Sequence, residues 1–413
     1  MESTPGIALK GYSYFHDQFV EKKTDILQTR LFLKKAIVMR GERAAEIFYD
    51  TSLFTRKDAT PKRFQKTLLG EGGVQGLDEE EHAHRKHMFM QVMNEDSLDR
   101  LEQYFEEHLN HALLSWEKQE EITFYKEIEE VLFRASCDWV GVPVKEKEVQ
   151  KHTEELSQMI DGSGGFGLRH HKGRKARKKA EKWIMKLVTE KRRKEKKSPG
   201  DSILSQFAFH RDLKGKLLKK RIVAVEILNL LRPIVAIARY ITFAALALHE
   251  HPQYRERLRK DMEKLDLYFV QEVRRFYPFF PFVAAKVKEE FEWKNVVFPK
   301  GRRVLLDLYA TQHHEDIWTN PNAFYAERFS TWDGSAFNFI PQGGGDYNQN
   351  HRCAGEWITI NLTRIALDYL VSRMEYEVPE QDLKIDLSRI PAIPESRFKM
   401  QHIKRSLHGI QVK

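Results

Sequence analysis

The chain has 413 residues, with 69 Lys and Arg against 60 Asp and Glu, a formal net charge of +9, and 41% of it is apolar. That balance excludes a disordered chain, and two cysteines exclude a disulfide framework and leave a reducing compartment as the default. No run of ~18 clean apolar residues occurs, and residues 1–15 lack a basic start followed by an apolar stretch, so the expectation is a cytoplasmic protein without signal or transmembrane anchor.

In chain order, Ala36–Met39 reads as a short strand. Leu98–Gln119, Thr123–Val140 and Lys145–Ile160 carry apolar residues at helical spacing. Gly162–Gly167 spells a literal GxGxxG, yet it follows a helix instead of a strand and no acidic residue comes soon after, so it reads as an inter-helix loop. Between Arg169 and Lys197, fifteen Lys or Arg face three Glu, a local +12, which leaves −3 for the rest of the chain. Like-charge runs are usually solvated faces. This one reads as a solvated helix near Gly173–Lys191 followed by the loop Arg192–Gly200, and only Trp183 accompanies the charge, too little for a nucleic-acid site. If it has a partner, an anionic lipid surface or fatty-acid anions near a channel mouth are as plausible as nucleic acid.

Lys220–Glu250 is the longest helical run. It contains Arg232-Pro233 among apolar residues; a buried arginine is costly unless an anion meets it. Pro233 lacks a backbone N–H and clashes with the carbonyl of Asn229, predicting a helix opened there. The alternative is an arginine paired internally, with Glu226 or with a carboxylate of a bound cofactor. Glu272-x-x-Arg275 follows on a helix ended by Pro278, with both side chains on one face. Phe282–Val287 reads as a strand, and Asn295–Phe298 with Arg303–Leu308 reads as a hairpin around Pro299-Lys300-Gly301. Thr311–Gln349 is a long ordered coil rich in aromatics, with Arg328 in Glu327-Arg328-Phe329; coils of that length are usually functional. Cys353 closes a Gly-rich loop beside cationic residues and before the helix Ala354–Ser372, a setting that favours thiolate.

ExxR, a Pro-x-x-Phe-x-x-Glu-Arg-Phe coil and a Gly-rich cysteine loop, in that order, resemble the cytochrome P450 superfamily along essentially the whole chain. The resemblance implies a mainly α fold, one heme-thiolate domain over residues 1–413 with a small β portion, and heme b buried between helices. It maps the axial ligand of the iron onto Cys353 and a structural triad onto Glu272, Arg275 and Arg328. Most members carry an acid–alcohol pair in the long helix; this chain has Asn229-Leu-Leu-Arg-Pro-Ile-Val-Ala236 instead. Together with the extended Pro-Gln-Gly-Gly-Gly-Asp loop and the His-Arg-Cys-Ala-Gly-Glu-Trp run around His351, this resembles the fatty-acid peroxygenase branch.

That branch implies hydrogen peroxide and a long-chain fatty acid as partners, hydroxylation at the α or β carbon, no reductase and no nucleic acid. The substrate carboxylate would be held by Arg232, beside Pro233, in place of the missing acid. His82, Lys86 and Arg56 match positions that hold heme propionates, with His351 also at the cofactor. Gln75 matches the residue above the heme, where hydroxylating members carry Gln and an alkene-forming decarboxylase carries His. A redox-partner-dependent monooxygenase, a decarboxylase and a non-catalytic heme sensor are the alternatives. Leu69, Phe280 and Asn350 depart from the branch pattern.

Overall fold

The computed structural model describes residues 2–165, 167–195 and 200–406. The predicted loop Arg192–Gly200 therefore lies partly outside the described residues. No helix among them is long and apolar enough to cross a membrane.

The architecture is mainly α, as expected. The Glu95–Trp116 helix begins before the predicted Leu98 because Asn94 caps it, its side chain accepting from Ser97 N at 3.0 Å. Leu101, Phe105, Leu109 and Leu113 recur every four residues and bury one stripe against the Phe124–Val140 helix. Glu146–Asp161 and Gly167–Lys194 pack beside it as an antiparallel pair, and Lys220–Ala236 crosses all three with nearly every side chain buried.

The long predicted helix is two helices, Lys220–Ala236 and Ala238–Glu250. The break falls at Ile237, one turn after the expected place, and Pro233 itself stays helical. The N–H of Ile237 bonds the Ile234 carbonyl at 3.0 Å, a tightened turn that absorbs the proline-induced misfit further along the chain.

The predicted hairpin is corrected. Val296–Phe298 pairs with Phe291–Trp293 through Lys294 and Asn295, both at positive φ. Arg303–Asp307 instead joins a five-stranded sheet, antiparallel to Phe282–Val287 and parallel to Lys34–Met39. Pro299-Lys300-Gly301 does turn the chain, with Arg302 N bonding Pro299 O at 3.0 Å, but the turn passes between sheets. Ile26–Leu31 and Phe54–Thr55 form the edges of the larger sheet.

The coil from residue 311 to 349 is ordered around Trp318, Phe329, Phe339 and Trp332, whose rings contact one another. It delivers the cysteine loop to the N-terminus of the Glu356–Asp368 helix, which packs against Met262–Phe276 and Ala238–Glu250.

Candidate active site

Glu226, Asn229 and Arg232 lie three residues apart on one face of the Lys220–Ala236 helix. Glu226 is fully buried and accepts from Arg85 Nη1 at 2.7 Å and from Asn229 Nδ2 at 3.0 Å. Asn229 Oδ1 accepts from Arg232 Nη2 at 3.4 Å, while Asn229 Nδ2 also reaches Gln75 Oε1 at 3.3 Å. The possible pairing of Arg232 with Glu226 is thus not made, because Glu226 is already held by Arg85.

Arg232 is 5% exposed, and its Nε has no hydrogen-bond partner. No carboxylate lies within ion-pair distance of it among the described residues. Burial, followed by the nearby charge of Arg177, pushes its pKa down to about 9, while Cys353 acts in the opposite direction. A buried cation without a counter-ion is costly until an anion meets it.

Cys353 sits in a constructed loop. Its backbone N–H bonds Gln342 O at 3.2 Å, and Gln342 Nε2 approaches Sγ at 3.8 Å and donates to Thr359 Oγ1 at 3.0 Å. Arg274 donates to Gln342 Oε1 at 3.0 Å and to the buried Glu356 at 2.6 Å; Arg352 takes the other Glu356 oxygen at 2.6 Å. The expected thiolate-favouring balance is reversed in the chain by itself. Burial raises the Cys353 pKa and outweighs the Gly355 N–H, Arg274 and Lys86. A metal bound at sulfur would deprotonate it outright.

Asn350, one of the departures, closes the extended loop on itself. Its Oδ1 accepts from Asp346 N at 2.6 Å, and a Cβ on Gly345 (φ +82°) would lie 2.6 Å from that oxygen. Leu69 and Phe280 are half-buried against the main core.

Arg56, His82 and His351 line one cavity of about 190 Å³, beside Lys86. His82 stacks on His351 with ring centroids 4.0 Å apart. Lys86 Nζ bonds the carbonyls of Asn350 and Arg352 in the cysteine loop. Arg56 lies over the Phe48 ring at 4.2 Å and donates to Ala284 O at 3.0 Å. Burial lowers the pKa of His82 to about 3 and of Lys86 to about 8. Asp78, which lines the same cavity with Asp50 and Glu79, lies 3.6 Å from His351 Nε2 and also accepts from Thr55 and from the N–H groups of Arg56 and Lys57.

This donor set fits a heme. Cys353 offers a thiol, Arg232 a buried guanidinium without a carboxylate partner among the described residues, and Arg56, His82, Lys86 and His351 basic side chains of the kind that two propionates would need. Among the described residues no His, Cys, Asp and Glu cluster could hold a bare metal ion.

The three residues expected as a triad meet. Arg275 clasps Glu272 through two 2.7 Å bonds, and Arg328 lies 3.1 Å from the same carboxylate. Gly162–Gly167 joins two helices, as expected, although Phe166 lies outside the described residues. Arg239, a heptad after Arg232, bonds Asp161 and Tyr125. Arg85, Asn229, Arg274 and Glu356 went unremarked in the sequence as site residues, and Glu226 was singled out only as a possible partner of Arg232. The i, i+3, i+6 spacing of Glu226, Asn229 and Arg232 was the available signal; nothing local announced Arg85 or Arg274.

The cytochrome P450 family model matches residues 148–401. Abscisic acid 8′-hydroxylase 4 of Arabidopsis thaliana is 22% identical over 435 residues, covering 97% of this chain and 91% of that one. Among solved structures, cytochrome P450SP alpha (CYP152B1) with (R)-ibuprophen is 43% identical with TM-score 0.95, covering 98% of this chain and 99% of that chain. Cytochrome P450EX alpha (CYP152N1) with myristic acid is 43% identical with TM-score 0.94, covering 98% of each. A cytochrome P450 OleT variant in complex with arachidonic acid is 34% identical with TM-score 0.94, covering 98% and 97%.

Proposed function

The chain belongs to the cytochrome P450 family, as an oxidoreductase with heme b, and from that premise we propose that it hydroxylates long-chain fatty acids at the α or β carbon using hydrogen peroxide. The acid and peroxide become a hydroxy acid and water, so no reductase enters the balance. The whole chain, 1–413, works as one heme-thiolate domain in the cytoplasm. The similar structures that hold myristic and arachidonic acid support a long-chain acid as substrate.

Heme held by Cys353 supplies the oxygen-transfer chemistry, the thiolate favouring O–O cleavage. Arg232 binds the substrate carboxylate, its unpartnered Nε and Nη groups suiting a two-point clamp. Held there, the carboxylate oxygen accepts a proton from peroxide and returns it to the departing oxygen, which leaves as water. The clamp also fixes Cα and Cβ nearest the reacting oxygen, so position replaces intrinsic reactivity as the selector. Pro233, which leaves the Asn229 carbonyl without its helical donor, keeps the arginine at this turn polar and accessible to the acid. Gln75, anchored to Asn229, sets the polarity above the heme. Arg56, His82, Lys86 and His351 would hold the heme propionates, and Glu272, Arg275 and Arg328 hold the coil that carries the cysteine loop.

The observation carrying this reading is Arg232, a buried guanidinium without a carboxylate partner among the described residues. The test mixes purified holoprotein, a saturated long-chain acid and peroxide, with no reductase, followed by mass spectrometry. A 2-hydroxy acid, with some 3-hydroxy acid, is expected. Turnover only with a redox partner would replace the reading with a conventional monooxygenase, and binding without product would replace it with a sensor.

A further inference from the structure

The hairpin between strands Ile26–Leu31 and Lys34–Met39 turns at Phe32 and Leu33, with φ of 52° and 63°. Such a turn suits Asn-Gly, because a bulky side chain at positive φ crowds its own backbone. Here two large apolar residues occupy it, and they are not used to fill a core: Phe32 is 45% and Leu33 77% exposed. Strain retained at an exposed apolar tip points to a use outside the fold.

The tip has neighbours of the same kind. Phe32 N and Leu33 N bond Thr4 Oγ1 at 2.7 Å and Glu2 Oε2 at 3.0 Å, fixing the turn against the Thr4–Lys10 helix. That helix buries none of its residues and presents Leu9 at 78% exposure. Arg63 bridges in the other direction, 5.7 Å from the Phe32 ring centroid while donating to Gly165 O. Gly165 leads into the Gly167–Lys194 helix, whose second residue, Leu168, is 81% exposed. Ile7, Ala8, Gly164 and Gly165 line one shared cavity, so the N-terminal helix and this loop adjoin.

From Leu168 an exposed stripe runs through Lys172, Lys175, Lys179, Lys182 and Lys186. Steps of four and three residues keep it on one face for about 27 Å. Among the described residues Lys172, Lys175, Lys182 and Lys186 make no ion pair, and Lys179 has only Glu155 at 3.9 Å. The helix's own Glu181 is held by Arg177 and Arg221. Lys34, Lys35 and Lys62 are exposed beside the apolar turn.

Apolar tips bordered by unpaired lysines match a bilayer surface, which offers acyl chains just beneath a layer of phosphate. An exposed Phe could stack on a base, but a nucleic-acid site has no use for exposed Leu9, Leu33 and Leu168 at its edge. We infer that this face docks peripherally on an anionic phospholipid bilayer. Phe32, Leu33, Leu9 and Leu168 enter the boundary between headgroups and acyl chains, and the lysine stripe lies along the phosphates. The proposal is independent of the substrate reading.

Co-sedimentation of the full-length holoprotein with vesicles tests it. Binding is expected to phosphatidylcholine vesicles containing phosphatidylglycerol, with far less to phosphatidylcholine alone, and weakening at high salt. Phe32→Asn with Leu33→Gly gives the turn residues its φ values favour, so folding is preserved while the apolar tip is removed. Lys172→Glu, Lys175→Glu and Lys182→Glu together remove the charge. Each variant should lower the partition coefficient by at least about tenfold while the carbonyl spectrum of the heme stays unchanged. Wild-type protein that stays in the supernatant overturns the proposal. So does wild-type binding by both variants, or stronger retention on duplex DNA than on the anionic vesicles at equal salt.

Discussion

Arg85 and Glu226, 141 residues apart, meet at 2.7 Å in the interior, and this pairing leaves Arg232 without a protein carboxylate. Had Glu226 turned one helical step further, the anion site would be filled internally. Breaking a buried pair from one side typically costs ~3–5 kcal/mol. Arg85→Leu should therefore lose about that much stability in urea denaturation. It should also raise the fatty-acid KM, because the freed Glu226 competes for Arg232. Adding Glu226→Leu should recover both; a double variant no better than the single would mean Glu226 has another role.

Arg232 itself is tested through its ligand. Arg232→Ala should keep heme and lose roughly 200- to 5000-fold in fatty-acid oxidation, and methyl esters should be poor substrates for the native protein. A carboxylic acid too short to be oxidised should fill the clamp and switch on peroxide-driven oxidation of styrene. Equal styrene rates with and without that acid would make Arg232 structural.

Replacing Cys353 by Ala should abolish the red-shifted carbonyl band expected of thiolate ligation. A band that survives would place the axial ligand elsewhere.

Gln75→His should shift product from 2-hydroxy acid toward terminal alkene, read by gas chromatography. Gln75 accepts from Asn229 at 3.3 Å, and a histidine there introduces a group that titrates near neutrality. An unchanged product ratio would remove Gln75 from the control of the outcome.

Asp307 gives a pH signature far from the heme. Its Oδ1 caps the Leu308–Gln312 helix through Ala310 N at 2.8 Å, while Oδ2 is buried without a partner. Burial raises its pKa from 3.8 to about 7. The folded state thus binds the proton more tightly than the unfolded one, so this contribution to stability is full below about pH 4 and lost as pH rises through about 7. Asp307→Asn keeps the cap and removes the ionisation. It should be more stable than wild type at pH 8, by at most about 4 kcal/mol, and its urea midpoint should vary less between pH 4 and 7. A lower midpoint at pH 8 would contradict the assignment.

Features carried by short-range chemistry were legible before the structure. Glu272 and Arg275 face each other because of their spacing, Cys353 because of its glycines, and Arg232 because an arginine among apolar residues needs an anion. Contacts between distant segments were not legible. Arg85 looks like any helical arginine until Glu226 is folded against it. Arg303–Asp307 has the composition of a strand, but its neighbours are Lys34–Met39 and Phe282–Val287, and the turn at Pro299-Lys300-Gly301 says only that the chain bends. The break after Pro233 was expected where the ring clashes; the helix instead passes the strain to Ile237. The thiol expectation missed the desolvation of Cys353, which depends on how deeply the whole coil packs.

The side chain of Arg275 donates not only to Glu272 but also to the carbonyls of Gln312, Pro321 and Ala323, at 2.8, 2.9 and 3.2 Å. A lysine carries the same charge but cannot point donors in that fixed fork, so Arg275→Lys should expose the following coil to proteolytic nicking while the helices stay intact. The same contacts divide the coil by its tolerance for length change. Between Gln312 and Ala323 three carbonyls converge on one guanidinium, two on Nη1 and one on Nη2, and one inserted residue throws the set out of register. At Gly334, exposed and at φ +77°, no such matching exists. A peptide tag or a small inserted domain belongs there, where the chain can be lengthened without loosening the segment that delivers Cys353.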